Sequence, residues 1–200
     1  MVSGNIHKTN YSEVCTRSRK LASALEKDGY KEGDVIATLA LNTYRHLEMY
    51  YGISGMGGIN HTLNFRLHPE QAVYIINHAE DKVIFCETPF IPILEGLQEN
   101  LECVEKYIIL CDTSEMPDTK LKNAISYEEY IKDGDENYEW PALADDAACA
   151  LCYTSGTTGN PKGVLYSHKS NILHAQAWAC KIFDLCEYRT PFGFPVVPEV

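Results

Sequence analysis

Between Thr154 and Gly159 the chain reads Thr-Ser-Gly-Thr-Thr-Gly, four hydroxyl residues and two glycines in six consecutive positions, and Lys162 follows shortly after. Glycine lets backbone N–H groups approach a ligand closely and turn toward the same oxygen atoms. Hydroxyls add donors without bulk, and lysine adds a positive charge with reach. A polyphosphate is the guest this composition suits. Thr154, Ser155, Gly156, Thr157, Thr158, Gly159 and Lys162 are therefore the candidate phosphate-binding residues. The same residue types also make turns, so a Ser/Thr/Gly/Pro hairpin without a ligand is the competing reading. Two features weigh against it: the segment follows a strand that looks buried, and its hydroxyl-rich run is longer than turn chemistry requires.

Other phosphate motifs fail on spacing. A Walker A loop needs G-x-x-x-x-G-K-[ST], but counting from Gly156 puts Pro161 where the second glycine belongs and Gly163 where the hydroxyl belongs. That loop also opens a helix, whereas Gly163 to Ser167 reads as a strand. Gly55-Met56-Gly57-Gly58 fails G-x-G-x-x-G because Asn60 occupies the last position. Cys149 and Cys152 make a C-x-x-C pair, but residues three apart on a strand point to opposite faces, which separates the two sulfurs. His168 and His174 read as structural. His46, His61, His68 and His78 are scattered, and Tyr44, Tyr50 and Tyr51 on one predicted helix read as packing residues.

The elements that must position this segment alternate. Ser12 to Asp28 reads as an amphipathic helix with Ser12 as N-cap and Gly29 past its end. Asp34 to Leu41 is a continuous apolar run that suits a strand covered on both faces. Then follow a helix over Thr43 to Met56, a strand over Ile59 to Leu63, a helix over Pro69 to Ala79 and a strand over Lys82 to Glu87. A helix over Ile91 to Leu101, a strand over Tyr107 to Cys111 and a helical stretch around Ile125 to Lys132 continue the pattern. The acidic, aperiodic segment Lys132 to Asp146 reads as a surface connection within one domain. Ala147 to Thr154 is a buried strand, Gly163 to Ser167 another, and Lys169 to Leu185 a helix. Strands alternating with helices predict an α/β fold built on parallel or mixed sheets.

Composition bounds the rest. At 200 residues and 45% hydrophobic content, the chain can bury one substantial core. Its 28 acidic against 17 basic residues, a net charge of -11, supply no basic stripe for nucleic acid. The first twenty residues hold no apolar h-region, and no long apolar run suggests a membrane span. The eight cysteines sit inside apolar strand-like and helix-like runs, which fits reduced thiols in a cytoplasmic protein.

Leu151 to Lys162, LCYTSGTTGNPK, is similar to the AMP-binding signature of the adenylate-forming enzymes at every restricted position. The extension Gly163 to Ala175 resembles the bacterial medium- and long-chain fatty-acyl-CoA synthetase branch. Upstream, Asn10 to Glu87 is similar to that family's N-terminal region in order and spacing, and the resemblance runs from about Ile6 to Pro198. It implies the N-terminal large-domain portion of an adenylate-forming enzyme, with helices layered on parallel or mixed sheets. Thr154 to Lys162 would close over the β- and γ-phosphates of ATP, with Thr154 also helping to hold Mg²⁺. A fatty carboxylate would attack the α-phosphorus, pyrophosphate would leave, and the thiol of coenzyme A would then take the acyl group.

The family's adenine, ribose, acyl and CoA sites and its C-terminal small domain follow this region. Residues 1–200 are therefore expected to be a partial AMP-binding domain, inactive alone. Glu187 to Phe194 and the terminal Glu199 and Val200 depart from the family's pattern. A catalytically inactive nucleotide-binding module or folded remnant is the alternative reading. The resemblance leaves a homodimer and peripheral membrane contact open.

Overall fold

A computed structural model describes residues 7–154 and 160–179. Asn10 opens the first helix, α1 (Tyr11–Lys27): its side chain accepts from the Glu13 backbone N–H while the Glu13 carboxylate accepts from the Asn10 backbone. This reciprocal capping box starts the helix ahead of Ser12, the expected cap, because Asn10 has its acidic partner three residues on. Gly29, at φ +93°, turns the chain out of the helix.

The helices α2 (Tyr44–Gly55), α3 (Pro69–Ala79), α4 (Ile91–Leu97), α5 (Tyr127–Ile131) and α6 (His168–Ala179) are interleaved with strands. These are β1 (Val35–Leu39), β2 (Ile59–Thr62), β3 (Val83–Cys86), β4 (Lys106–Ile109), β5 (Ala124–Ser126), β6 (Ala148–Thr154) and β7 (Lys162–Ser167). They form a seven-stranded sheet in the order β5-β4-β3-β1-β2-β6-β7. Pairing is parallel from β5 through β6 and antiparallel between β6 and β7.

Strands covered on both faces must be mainly apolar on both, and β1, β3 and β4 are, with the buried Thr38 of β1 as a polar exception. Ile36, Val83, Phe85 and Ile108 pack against Leu21, Leu25, Met49, Ile53 and Tyr127 of α1, α2 and α5. The alternate residues Ala37, Leu39, Ile84 and Ile109 pack against Ile75, Ile76, Ile91 and Leu94 of α3 and α4. The segment expected to be helical around Ile125 begins instead as β5, paired to β4 through Ile125 and Ile108. The Ser126 hydroxyl then accepts from the Glu129 N–H and starts α5. A three-residue strand running directly into a capped helix carries no period of its own. The acidic connection before β6 is anchored by Trp140, whose ring fills the space a side chain would take at Gly55.

One charged network ties α1, α2 and α5 together. Arg17 donates to the fully buried Glu48 at 2.7 Å and to both oxygens of Glu128 at 2.8 and 3.0 Å. Tyr127 donates to Glu48 at 2.9 Å, and Arg45 donates to Glu128 at 3.0 Å. Burial pushes the Glu48 carboxyl up against the pull of Arg17. For Glu128 burial also pushes up, but its bonds from Arg17 and Arg45 outweigh it and hold the carboxyl below its ordinary value.

Because the folded Glu128 carboxyl is lowered, its stabilisation is present above the unfolded carboxylate value of about 4.3 and fades as pH falls through the folded value. Glu128→Gln is expected to cost about 1–2 kcal/mol at pH 7, with the gap to the parent closing below about pH 4 in urea titrations. Equal destabilisation at both pH values would contradict the charged-network account. Packing gives a second test. A Cβ at Gly52 would meet the Ser18 carbonyl and Leu21 Cδ2, both at 2.9 Å, whereas one at Gly96 meets nothing within 4 Å. Gly52→Ala should destabilise by about 1–3 kcal/mol and Gly96→Ala should stabilise by about 0.5 kcal/mol, read as shifts of the denaturation midpoint.

Candidate functional site

The candidate residues belong to the hairpin of β6 and β7. β6 joins the sheet through parallel pairs Asn60↔Ala150 and His61↔Leu151, which carries its carboxyl end to the edge where β2 also ends. β7 returns antiparallel, with Leu151↔Leu165, Cys152↔Val164, Tyr153↔Gly163 and Thr154↔Lys162 as partners. Burial along β6 alternates, Cys149 and Leu151 being buried and Thr154 exposed, so the strand is half covered where the sequence suggested full burial. Its neighbour β7 is exposed, with Leu165 60% accessible, and gives no second covered flank.

Thr154 and Lys162 are thus brought opposite each other as the last cross-strand pair, and the Thr154 hydroxyl donates to the Lys162 carbonyl at 3.4 Å. Both are exposed. Ser155, Gly156, Thr157, Thr158 and Gly159 lie outside the described residues, as does the expected helical segment from Cys180 to Leu185. The chain leaves the loop region into strand β7, where a Walker loop would enter a helix.

Below the last pair lies a cluster that the sequence reading passed over. The Tyr153 hydroxyl is 2.6 Å from Nδ1 of His78, in the last turn of α3. The Tyr153 ring is tilted over His61, centroids 5.1 Å apart. His61 Nδ1 donates to Asp81 at 2.8 and 3.0 Å, and both side chains are fully buried. Burial pushes the Asp81 carboxyl up against the pull of His61. Burial and then the Asp81 charge push the Tyr153 phenol up. Gly163 leaves room for this ring: a Cβ there would meet Leu151 Cδ1 at 3.2 Å and Tyr153 Cζ at 3.3 Å.

The cysteine pair behaves as strand geometry requires. Cys149 Sγ donates to the Tyr166 carbonyl and accepts from Asn171 Nδ2 at 3.1 Å, while Cys152 Sγ lies 3.6 Å from Thr62 Oγ1. Both thiols are free, and burial pushes Cys149 up. Among the described residues no cluster of three or more His, Cys, Asp or Glu is arranged for a metal. A crevice of about 490 Å³ opens outside the ends of β1, β3 and β4, walled by Asn42, Thr43, Arg45 and Glu87. An apolar hollow of about 730 Å³ lies by Tyr50, Tyr51, Trp140 and Leu143. Neither has Thr154 or Lys162 in its walls. In the crevice Thr43 donates to Glu87, and Arg45 donates to Glu128.

Comparison with known proteins agrees in sequence and in structure. The model of the AMP-binding enzyme family matches residues 1–193. A medium-chain-fatty-acid–CoA ligase of Ectopseudomonas oleovorans is 46% identical over 177 residues, 88% of this chain and 32% of that protein. A 3-methylmercaptopropionyl-CoA ligase of Ruegeria pomeroyi is 45% identical over 172 residues, 86% of this chain and 32% of that protein. The crystal structure of the anthranilate CoA ligase AuaEII with anthranoyl-AMP superposes with a TM-score of 0.79 at 26% identity, covering 86% of this chain and 32% of that one. The chain therefore spans about a third of the length of these relatives. A match over residues 1–193, on a sheet that ends in a hydroxyl- and glycine-rich hairpin, makes this chain a member of the AMP-binding enzyme family.

Proposed function

We propose that this chain is part of the N-terminal AMP-binding domain of a cytoplasmic fatty-acid–CoA ligase, which makes an acyl-adenylate from ATP and passes the acyl group to coenzyme A. The observation that carries the reading is the hairpin base, where antiparallel pairing holds Thr154 and Lys162 face to face at the sheet's carboxyl edge. The names of the two curated relatives, a medium-chain-fatty-acid and a 3-methylmercaptopropionyl-CoA ligase, support a carboxylic acid as acyl donor.

In the first half-reaction a carboxylate oxygen bonds to the α-phosphorus and the bond to pyrophosphate breaks. Negative charge builds on the leaving group. Lys162 and the loop's hydroxyl and backbone donors neutralise it there, so the loop acts by positioning and charge stabilisation. In the second half, the CoA sulfur bonds to the acyl carbon and AMP leaves. Groups for adenine, ribose, acyl chain and CoA are assigned to the protein outside residues 1–200, as is the small C-terminal domain.

Among the described residues the exposed Thr154 hydroxyl makes one long donated bond, and its oxygen is of the kind that fits a single ligand to Mg²⁺ taking its other ligands from phosphate and water. The ion would supply charge neutralisation on the phosphates. Lys162→Ala and Thr154→Val, made in the full-length protein, are each expected to slow fatty-acid-dependent ATP–pyrophosphate exchange by about 10- to 100-fold, the effect of losing one charge-assisted contact. Unchanged exchange in both variants would remove the phosphate-loop assignment.

A further inference from the structure

We propose that His78 is a positioning residue for the phosphate site, acting through Tyr153 to fix the angle at which Thr154 and Lys162 leave the sheet. The proposal rests on the reading of those two residues as phosphate ligands. His78 lies in a different helix from the hairpin, and its Nδ1 is 2.6 Å from the Tyr153 hydroxyl. Tyr153 is the residue before Thr154, and its cross-strand partner is the residue after Lys162. One side chain therefore touches both stems of the loop. The Tyr153 ring lies against Gly163, where any side chain would crowd it, and faces His61, which Asp81 holds in place on a fully buried wall. The ring has a floor in His61 and a side in Gly163. His78 supplies the polar end-stop, and its ring meets that of Tyr153 edge-on at 5.8 Å.

His78 is exposed, so the bond it makes adds little to the stability of the fold. Its consequence falls on geometry. A tyrosine free to swing lets the last pair, Thr154↔Lys162, fray, because that pair has no further rung beyond it among the described residues and only a 3.4 Å side-chain bond across it. Frayed phosphate donors must be reordered each time ATP binds, which raises the cost of reaching the productive arrangement. Fatty acid binding does not use these groups and is unaffected.

The test uses the full-length protein and steady-state ATP–pyrophosphate exchange with octanoate, with Lys162→Ala assayed in parallel. His78→Leu and Tyr153→Phe should each raise the KM for ATP about 3- to 10-fold with the KM for octanoate and the melting temperature unchanged. The double variant should be no worse than either single one, since both remove the same bond. His78→Asn, whose side-chain oxygen can take the place of Nδ1, should restore the parent KM. A normal KM for ATP in His78→Leu while Lys162→Ala is impaired would overturn the positioning role and leave the phosphate loop standing. Equal increases for ATP and octanoate, or no rescue by His78→Asn, would also overturn it. A Lys162→Ala enzyme with parent activity would remove the phosphate loop itself and this inference with it.

Discussion

The joint between β2 and β6 is the constraint on which the site depends. Only two register pairs, Asn60↔Ala150 and His61↔Leu151, attach the hairpin to the parallel sheet. Both β2 residues in that joint are buried and polar. Asn60 accepts from the Thr38 hydroxyl on the α2 side, and His61 meets Asp81 on the α3 side. A slip of β2 by one residue would exchange these faces, leaving a buried carboxylate without its partner and a buried amide without its donor. The register of the joint is thus pinned by buried polar groups, and with it the height at which Thr154 emerges. Ser54 adds a lock from α2, donating to the Cys149 carbonyl at 2.8 Å.

From that joint the rest follows by topology. A parallel strand must be reached by a crossover, whereas an antiparallel partner can be reached by a short turn. β6 is the strand at which the sheet changes from one habit to the other, so the loop after it returns at once and its two ends face each other. At β1 and β3 the chain departs into separate helices, and Thr43, Arg45 and Glu87 stand among the walls of the crevice outside their ends. Thr43 donates to Glu87 there, and Arg45 is taken by Glu128 and Asp112. The switch-point crevice of an open α/β sheet usually holds the ligand. The proposed phosphate site lies instead at the hairpin, where Thr154 and Lys162 are exposed. The Arg17–Glu48–Glu128 network stands on the same side of the sheet as α1, α2 and α5, where it fastens helices.

Local pattern was legible and distant pairing was not. Pro69 to Ala79 reads as a helix from its first-turn proline and spacing alone, and α3 spans those residues. The hairpin reads from its turn residues and flanking strands, and the opposite surroundings of Cys149 and Cys152 follow from strand geometry alone. The sequence reads Ser12 as the cap of α1, whereas the fold uses Asn10, for which Glu13 three residues on is the capping-box signal. β5 was hidden because Ile125 and Ile131 share an apolar pattern across a strand-to-helix switch. His61 and His78 gave no signal because their partners Asp81 and Tyr153 stand on other elements, and a pair across a fold has no period along the chain.

A crystal structure of the full-length protein with bound ATP would show where the triphosphate sits. Its β- and γ-phosphate oxygens are expected within hydrogen-bonding distance of the Thr154 hydroxyl and the Lys162 ammonium, with Tyr153 still on His78. A triphosphate seated in the crevice beside Thr43, Arg45 and Glu87, with the hairpin free of contacts to it, would contradict the account.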